Sequence, residues 1–283
     1  KYSNKSKKIA NFDKLQQSLP MTIKKIDSKG KFMWFELVST DTIFYIMNNF
    51  GLAGEWGFNK KKHSDIELNL DGGKVLYFTD HMHYGNIGIT QNIDILNEKL
   101  DLLGEDFLKQ PFTKSDFYDR IKKYLLKKNI VDPKRKNKKI VEILMEQKKK
   151  CGLGSGLGNY LVAEILYDAK ISPFKSIYEI YMSREISDRL CDSIQKIVKA
   201  AYKTSYVGYL DETDEDFSKY LKKLRNKIDN DSNYKYNFLP DVIVSDVFKF
   251  NVYGQKEDQK GNLVQKDKIV KGRTTYWVPN VQK

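Results

Sequence analysis

The chain has 283 residues, of which 40% are hydrophobic and 13% aromatic, a composition that supports folded cores and excludes a wholly disordered chain. Its formal net charge of +13 favours a polyanionic partner, although a solvated lysine-rich surface is an alternative explanation. No apolar run reaches the roughly 18 residues that span a bilayer. The two cysteines, Cys151 and Cys191, are too few for a four-cysteine zinc site, so we expect a reduced, intracellular setting in nucleus, cytoplasm or a viral factory.

Residues 19–100 contain short runs rich in aromatic and β-branched residues, separated by turn-forming Gly, Asn and Asp. This pattern is typical of an antiparallel β-sandwich, and we assign it to an N-terminal domain of residues 1–108. The predicted strands are Thr22–Ile26, Phe32–Val38, Ile43–Met47, Ile66–Leu70 and Lys74–Thr79.

A helical domain is predicted for residues 109–240, after a connecting segment at 101–120. Between Arg120 and Lys150 stand 13 Lys and Arg residues against three acids, which indicates either a solvated, mobile segment or a DNA-facing surface. Asp132-Pro133 and the basic run after it predict a loop, and residues 211–237 predict a second, polar one. Apolar residues at helical spacing predict helices over 140–148, 159–170, 176–182 and 185–203.

A glycine-rich segment, CGLGSGLG at 151–158, joins the first two of these helices and follows Lys148, Lys149 and Lys150. It is not a P-loop, because no Gly-Lys-Ser/Thr follows at the required spacing, and a preceding helix argues against a dinucleotide fingerprint. A glycine loop that opens a helix presents backbone N–H groups to an anion. A tight turn between packed helices is the alternative, and the neighbouring lysines favour the anion site.

The last segment, residues 241–283, predicts a terminal β-hairpin. Val247–Tyr253 leads to Gly254, and strands are expected near 262–265 and 268–278. The predicted fold class is therefore α+β.

Four stretches together resemble the formamidopyrimidine-DNA glycosylase / endonuclease VIII family, in the family's order. They are KGKFMWFEL at 29–37, GGKVLYFTD at 72–80, GLGNYLVAEILYDAKISPF at 156–174 and GRTTYWVPNVQ at 272–282. The endonuclease VIII-like branch is the most similar. The resemblance implies a helix–two-turn–helix motif in the helical domain, a zinc-less finger as the terminal hairpin, and DNA in the cleft between domains.

The activity implied by the resemblance is base-excision repair by a DNA glycosylase with AP lyase activity on oxidised bases. Its substrate is double-stranded DNA containing oxidised or abasic sites, with single-stranded DNA left open as a further partner. Lys31 matches the catalytic lysine that contacts phosphate beside the lesion and assists β-elimination. Arg273 matches the finger arginine that contacts phosphate and takes part in δ-elimination. We expect a monomer that needs no cofactor or metal and contacts no membrane.

Four further residues are expected to bind the DNA backbone: Lys148, Gly158, Asn159 and, after a run of lysines, His63. For Lys31, Arg273 and His63 the ordinary alternative is a solvated surface residue. We expect Lys31, Asn159 and Arg273 to converge on one bent DNA backbone, a prediction that only the tertiary structure can test.

Two loops, FGLAG at 50–54 and DHMHYG at 80–85, match the family loops that fill the gap left by an everted base. The family offers Met, then Arg and Phe; this chain offers Leu52, then Met82 and Tyr84. Leucine and tyrosine still wedge and stack, but the missing arginine removes the donor that would read the opposite base. Core packing is the alternative for Leu52 and Met82.

No metal is expected in the finger, because Val278 and Val281 stand where the zinc form has its second cysteine pair. Packing of Tyr276 and Trp277 should hold the hairpin instead. His81 and His83 are only two ligands without an acidic or cysteine partner nearby, which is a weak metal pattern.

The family begins Met-Pro-Glu, and its N-terminal proline is the nucleophile, whereas this chain begins Lys1-Tyr2. We expect a fragment of a longer, active protein, inactive as given; a relative that binds damaged or single-stranded DNA without cutting it is the alternative. An RNA-binding accessory protein fits the charge but not the four ordered stretches.

Overall fold

The computed structural model describes residues 9–212 and 248–283, with side chains of the first range described as far as residue 202. The chain divides into two compact units, Lys1–Leu103 and Gly104–Lys283. The predicted domain limits at 108 and 240 stay predictions. The predicted loop at 211–237 and the start of the Val247–Tyr253 strand fall almost entirely outside the described residues.

The first unit consists of two antiparallel sheets and two helices. The larger sheet has the strand order β1-β2-β3-β7 and the smaller one β4-β6-β5, with the strands numbered along the chain. In chain order the elements are α1 (Phe12–Gln17), β1 (Thr22–Lys29), β2 (Phe32–Val38), β3 (Ile43–Asn49), β4 (Glu55–Gly57), β5 (Ser64–Asn69), β6 (Val75–Thr79), β7 (Asn86–Thr90) and α2 (Ile93–Leu102).

The core of this unit lies between the two sheets. Phe35 and Phe44 of the larger sheet are fully buried, and Trp56 of the smaller sheet packs edge-on against Phe35 with ring centroids 5.0 Å apart. The other face of β2 packs Phe32 and Trp34 against Leu96 of α2. Both faces of β2 are therefore covered, which explains its nearly continuous apolar sequence.

The prediction of β structure as far as residue 100 is wrong for α2. Asn92 caps this helix by accepting a hydrogen bond from the Asp94 amide, and Leu96 and Leu100 recur at helical spacing on its buried side. An amphipathic face of isoleucine and leucine residues resembles strand composition, and the cap was the distinguishing signal.

The second unit is mainly helical and ends in a small hairpin of two antiparallel strands, β10 and β11. Its core joins Phe117 and Ile121 of α3 to Ile165 of α6 and Ile194 of α8, all fully buried. The elements are α3 (Lys114–Leu125), β8 (Leu126–Lys127), β9 (Ile130–Val131), α4 (Pro133–Lys136), α5 (Ile140–Met145), α6 (Asn159–Asp168), α7 (Ile177–Met182), α8 (Arg184–Glu212), β10 (Gln265–Asp267) and β11 (Thr275–Trp277).

Helix α3 replaces part of the segment predicted to connect the domains. Thr113 and Asp116 form a capping box, and Phe117, Ile121 and Leu125 lie one above the other at i, i+4 and i+8. The loop predicted after Asp132 instead starts the short helix α4, with Asp132 as its N-cap and Pro133 in its first turn. These signals are local and were visible in the sequence.

The finger strands are shorter than predicted, and residues 248–253 do not form a strand. The amides of residues 251–253 bind a carboxylate of α6 instead of a neighbouring strand, as described below. The mixed fold with antiparallel sheets confirms the α+β prediction, while the helix–two-turn–helix and zinc-less finger assignments stay predictions. No helix in the described ranges has the length and apolarity to cross a membrane.

Candidate nucleic-acid interface

Helix α6 brings two of the predicted DNA-contacting residues together. The Asn159 side chain donates from Nδ2 to the Thr274 carbonyl at 2.9 Å, across 115 residues of sequence. Arg273, the residue before Thr274, is exposed on a turn that Gly272 opens with φ 73° and that the Arg273 N–H closes on the Val270 carbonyl at 3.0 Å. The start of α6 and the arginine turn therefore form one edge of the second unit.

Glu164, to which no role was assigned from the sequence, fixes the start of the finger to α6. Its side chain is fully buried and accepts hydrogen bonds from the backbone N–H groups of Asn251, Val252 and Tyr253 and from Asn251 Nδ2, all at 2.9–3.1 Å. Successive N–H groups of this kind form a nest that compensates a buried negative charge. The signal in the sequence was an acid with apolar neighbours on both sides, Ala163 and Ile165, within α6.

A second hub, Asp258, organises the turn before β10. Its carboxylate accepts hydrogen bonds from the amides of Lys260 and Asn262, from Asn262 Nδ2 and, at 2.8 Å, from the Tyr167 hydroxyl of α6. Burial alone would raise the pKa of Asp258, but these hydrogen bonds outweigh it and lower the pKa to about 2. Burial, followed by the bond to Asp258, raises the pKa of Tyr167 to about 12.

An apolar cluster lies where the zinc form of the finger would have its second cysteine pair. Val278 and Val252 are fully buried against Ala163 of α6, and Val281 and Tyr276 pack around them. The Trp277 indole N–H donates to Asp267 Oδ2 at 2.7 Å across the hairpin, outside this cluster. Among the described side chains, those of residues 9–202 and 248–283, no group of three or more His, Cys, Asp or Glu is arranged to hold a metal ion.

The glycine-rich segment packs more tightly than the predicted anion loop. Four of its amides are already bonded, because Cys151 and Gly152 donate to the Lys148 carbonyl, Ser155 to the Glu105 carbonyl and Gly156 to Gln147 Oε1. A Cβ on Gly154 would lie 2.5 Å from the Phe107 ring. The expectation that these four N–H groups point outward is therefore wrong, and close packing explains the glycine at 154.

The C-terminal end of the glycine-rich segment is joined to the end of α5 by Gln147, a second residue to which no role was assigned. Its amide nitrogen donates to the carbonyls of Met145 and Leu157 at 2.8 and 2.9 Å. Lys148 beside it is exposed, and Gly158 is buried as the N-cap of α6. Gln147 therefore sets where the exposed lysines and the first turn of α6 stand.

In the first unit, Lys31 is exposed at the turn between β1 and β2, where Gly30 has φ 59°. Lys31, Phe50 and Gly51 line one open groove. The predicted catalytic lysine thus lies beside the first of the two gap-filling loops.

The two predicted gap-filling loops contact each other through their backbones. A Cβ on Gly51, which has φ +66°, would stand 2.6 Å from the Tyr84 carbonyl carbon and 2.7 Å from the Gly85 nitrogen. Leu52, Met82 and Tyr84 are 65%, 42% and 59% exposed, so the alternative of core packing is wrong for Leu52 and Met82. The structure brings these three apolar side chains onto adjoining loops.

His63 lies close to the second of these loops. Its carbonyl accepts from the Asp80 amide at 3.2 Å, and its ring meets that of His83 edge-on at 5.4 Å. His83 Nδ1 lies 3.3 Å from Asp65 Oδ2. His63 itself is exposed and adopts φ 69°.

The predicted site residues thus form two groups, one in each compact unit. Lys31, Leu52, Met82 and Tyr84 belong to the first unit, with His63, and Lys148, Gly158, Asn159 and Arg273 to the second. Convergence of Lys31 with Asn159 and Arg273 on one DNA backbone stays a prediction.

Comparison with known proteins finds similarity to one family. Residues 240–283 match the family model of the formamidopyrimidine-DNA glycosylase C-terminal domain. The formamidopyrimidine-DNA glycosylase of Prochlorococcus marinus (strain MIT 9312) is 29% identical over 284 residues, covering 97% of this chain and 79% of the relative. That of Ureaplasma parvum serovar 3 is 23% identical over 282 residues, covering 95% and 88%. The Arabidopsis thaliana enzyme is 28% identical over 204 residues, and the match spans only 46% of its length.

Solved structures show the same fold. Lactococcus lactis formamidopyrimidine-DNA glycosylase, bound noncovalently to DNA containing an AP site, superposes with a TM-score of 0.65 at 23% identity, covering 96% of this chain and 86% of that one. MutM of Thermus thermophilus gives a TM-score of 0.62 at 20% identity, covering 93% and 83%. The order of the four sequence stretches, the two-unit fold and these relatives agree in their similarity to the formamidopyrimidine-DNA glycosylase / endonuclease VIII family.

Proposed function

We propose that this protein is a DNA glycosylase of base-excision repair, from the endonuclease VIII-like branch of its family, that acts on oxidised bases in DNA. The observation that carries the proposal is the hydrogen bond from Asn159 to the Thr274 carbonyl, which fixes an amide beside an exposed arginine. One Nδ2 hydrogen is used in that bond, and the second is available to a phosphate oxygen. Asn159 and Arg273 then bind adjacent phosphates beside the damaged nucleotide.

Exposed Leu52, Met82 and Tyr84 support a base-everting function. Large apolar side chains are costly to expose without a partner, and here they stand on two loops that brace each other at Gly51. Such side chains occupy the space of an everted base and offset an unstacking cost of a few kcal/mol. Without an arginine on the second loop, the base opposite the lesion is read weakly.

The proposed chemistry is glycosylase action followed by AP lyase cleavage. A secondary amine attacks the sugar C1′, and the damaged base leaves with its bonding electrons. The C1′–O4′ bond then breaks to give the Schiff base, from which β-elimination expels the 3′ phosphate and δ-elimination the 5′ phosphate. The proposed nucleophile is an N-terminal proline amine, as the resemblance to the family implies. Lys31 and Arg273 hold the flanking phosphates and assist the two eliminations.

The test uses the product of the complete gene and a panel of oligonucleotides carrying oxidised pyrimidines, oxidised purines or an abasic site, each opposite all four bases. We expect borohydride to trap a covalent complex with the abasic and oxidised substrates, with less than about tenfold variation among opposite bases.

Two variants test the interface itself. Asn159→Ala and Arg273→Ala should each weaken binding of abasic duplex by at least about tenfold, the effect of losing a charge-assisted phosphate contact. Lys196→Ala, which removes a lysine paired with Asp168 at 2.6 Å, should leave binding unchanged. Unchanged binding by both interface variants contradicts the proposed interface, and lesion binding without any cleavage by the complete protein assigns it to the non-cutting class.

A further inference from the structure

Two basic runs that are separate in sequence lie side by side in the second unit. We call the exposed surface of residues 134–139 and 148–150 the basic shelf; it contains Arg135 and seven lysines. The Arg135 guanidinium joins the runs, because Nη1 donates to the Tyr124 carbonyl and Nη2 to the Lys150 carbonyl at 3.4 Å. Its central carbon stands 4.8 Å above the Tyr124 ring.

Backbone and ring contacts fix the first run against α7. The Ile140 amide donates to the Lys175 carbonyl at 2.8 Å, and the Ile177 amide to the Lys138 carbonyl at 2.9 Å. Lys136 Nζ lies 4.6 Å from the Tyr178 ring centroid, and Lys139 Nζ lies 5.2 Å from that of Phe174. These contacts favour an ordered cationic surface over the solvated, mobile segment that the composition also allowed.

The shelf adjoins the proposed phosphate-binding edge. Gln147 precedes Lys148 and bonds to Gly156 and Leu157, which lead directly into Asn159. Lysines 148–150 therefore follow directly after Gln147, the residue whose side chain also positions the start of α6.

Two of the three acids in this part of the chain accept hydrogen bonds from backbone groups. Asp132 accepts from the Lys134 amide at 2.9 Å and also lies 3.7 Å from Arg135 Nε, and Glu142 accepts from the Lys139 amide at 3.2 Å. Glu146 is the remaining acid between Arg120 and Lys150. Gathering seven lysines and a partly paired arginine raises the energy of the folded unit by mutual repulsion, which a polyanion relieves.

We propose that the basic shelf binds the phosphate backbone of the DNA arm beyond the lesion, outside the phosphates held by Asn159 and Arg273. This inference rests on the proposed function. DNA is favoured over an acidic protein for two reasons. Lysine is depleted at protein–protein interfaces, and the aromatic rings of Tyr178 and Phe174, the residue types enriched there, are partly covered by ammonium groups. The binding is independent of sequence and releases counterions.

The test is the salt dependence of affinity for abasic duplexes of two lengths. On a duplex of about 24 base pairs, Lys134→Gln/Lys149→Gln should flatten the plot of log K against log salt by roughly 1.8, at about 0.9 per phosphate contact. When the salt is raised from about 50 to 200 mM, the factor by which the variant loses affinity should then be about tenfold smaller than the factor for the parent. On a duplex of about 10 base pairs, roughly one helical turn, the two slopes should agree.

The matched control is Lys114→Gln/Lys196→Gln, which removes the same formal charge from two lysines already paired with Asp192 and Asp168 at 2.7 and 2.6 Å. Its slope should stay within about 0.5 of the parent. Equal slopes for the shelf variant and the parent on the long duplex overturn the inference, as does an equal change in the control. If Asn159→Ala still weakens binding in that case, the proposed function survives; if Asn159→Ala has no effect on either duplex, the proposed function itself fails.

Discussion

Replacing Glu164 with glutamine should loosen the finger without changing the size of the side chain. Glutamine keeps one acceptor oxygen for the amides of Val252 and Tyr253, both at 2.9 Å, and of Asn251 at 3.1 Å, but turns an NH₂ group toward Asn251 Nδ2, from which the other carboxylate oxygen accepts at 3.0 Å. One hydrogen bond to a buried carboxylate is then lost, so we expect a loss of about 2 kcal/mol. For a unit of this size that lowers Tm by roughly 4–8 °C.

The assay combines thermal unfolding, amide hydrogen exchange at residues 251–253 and affinity for abasic duplex. Exchange at these amides should accelerate, and affinity should fall because the arginine turn is fixed through the same helix. Glu179→Gln is the control, because Glu179 accepts from the Ser176 amide in an exposed capping box that glutamine also forms. A Tm for Glu164→Gln that equals the control's, with unchanged exchange, would refute the assignment of Glu164 as the anchor of the finger.

Three further outcomes are expected. Gly51→Ala should weaken binding to abasic duplex, because its Cβ would stand 2.6 Å from the other loop, whereas Gly73→Ala has the same positive φ with nothing within 4 Å and should leave DNA affinity unchanged. The pKa of the Asp258 carboxyl falls from 3.8 to about 2 on folding, so this group should contribute stability above pH 4 that is lost as the pH drops toward 2. In an acid titration, Asp258→Asn should remove this contribution from the slope of unfolding free energy against pH. An unaltered slope would contradict the role of Asp258 as a hub. A thiol reagent at pH 8 should label the exposed Cys151 in the native chain and label Cys191 only on unfolding. The reason is that burial raises the pKa of Cys191 to about 11. Rapid labelling of both cysteines in the native chain would contradict the burial of Cys191.

Much of the first unit was predictable because strand signals are local. The run Phe32–Val38 is a strand with the bounds expected from its aromatic and branched residues, and turn glycines mark its neighbours. Helix α2 was missed because its isoleucines and leucines satisfy strand composition as well as helical spacing. Competing local patterns of this kind are resolved by the surface on which the segment packs, here Phe32 and Trp34 of the sheet.

The residues of the candidate site likewise divide into those that local sequence predicts and those whose roles depend on tertiary contacts. Residue types and motif order were enough to single out Asn159, Arg273 and Lys31, since each lies in a contiguous stretch that resembles the family. Gln147 and Glu164 were passed over because their partners are backbone groups, and a backbone amide 87 residues away leaves no trace in side-chain pattern.

The sequence by itself determined the fold class, the position of the glycine-rich segment and the residues that face DNA in the proposal. The fold class follows from composition and periodicity, and the residues that face DNA follow from the resemblance of four ordered stretches to the family. Only the tertiary structure decided that Asn159 bonds to the turn of Arg273, that the amides of the glycine-rich segment are already used, and that two basic runs share one surface. The physical reason is that each is a short-range contact between groups distant in sequence, and such contacts exist only once the chain has packed.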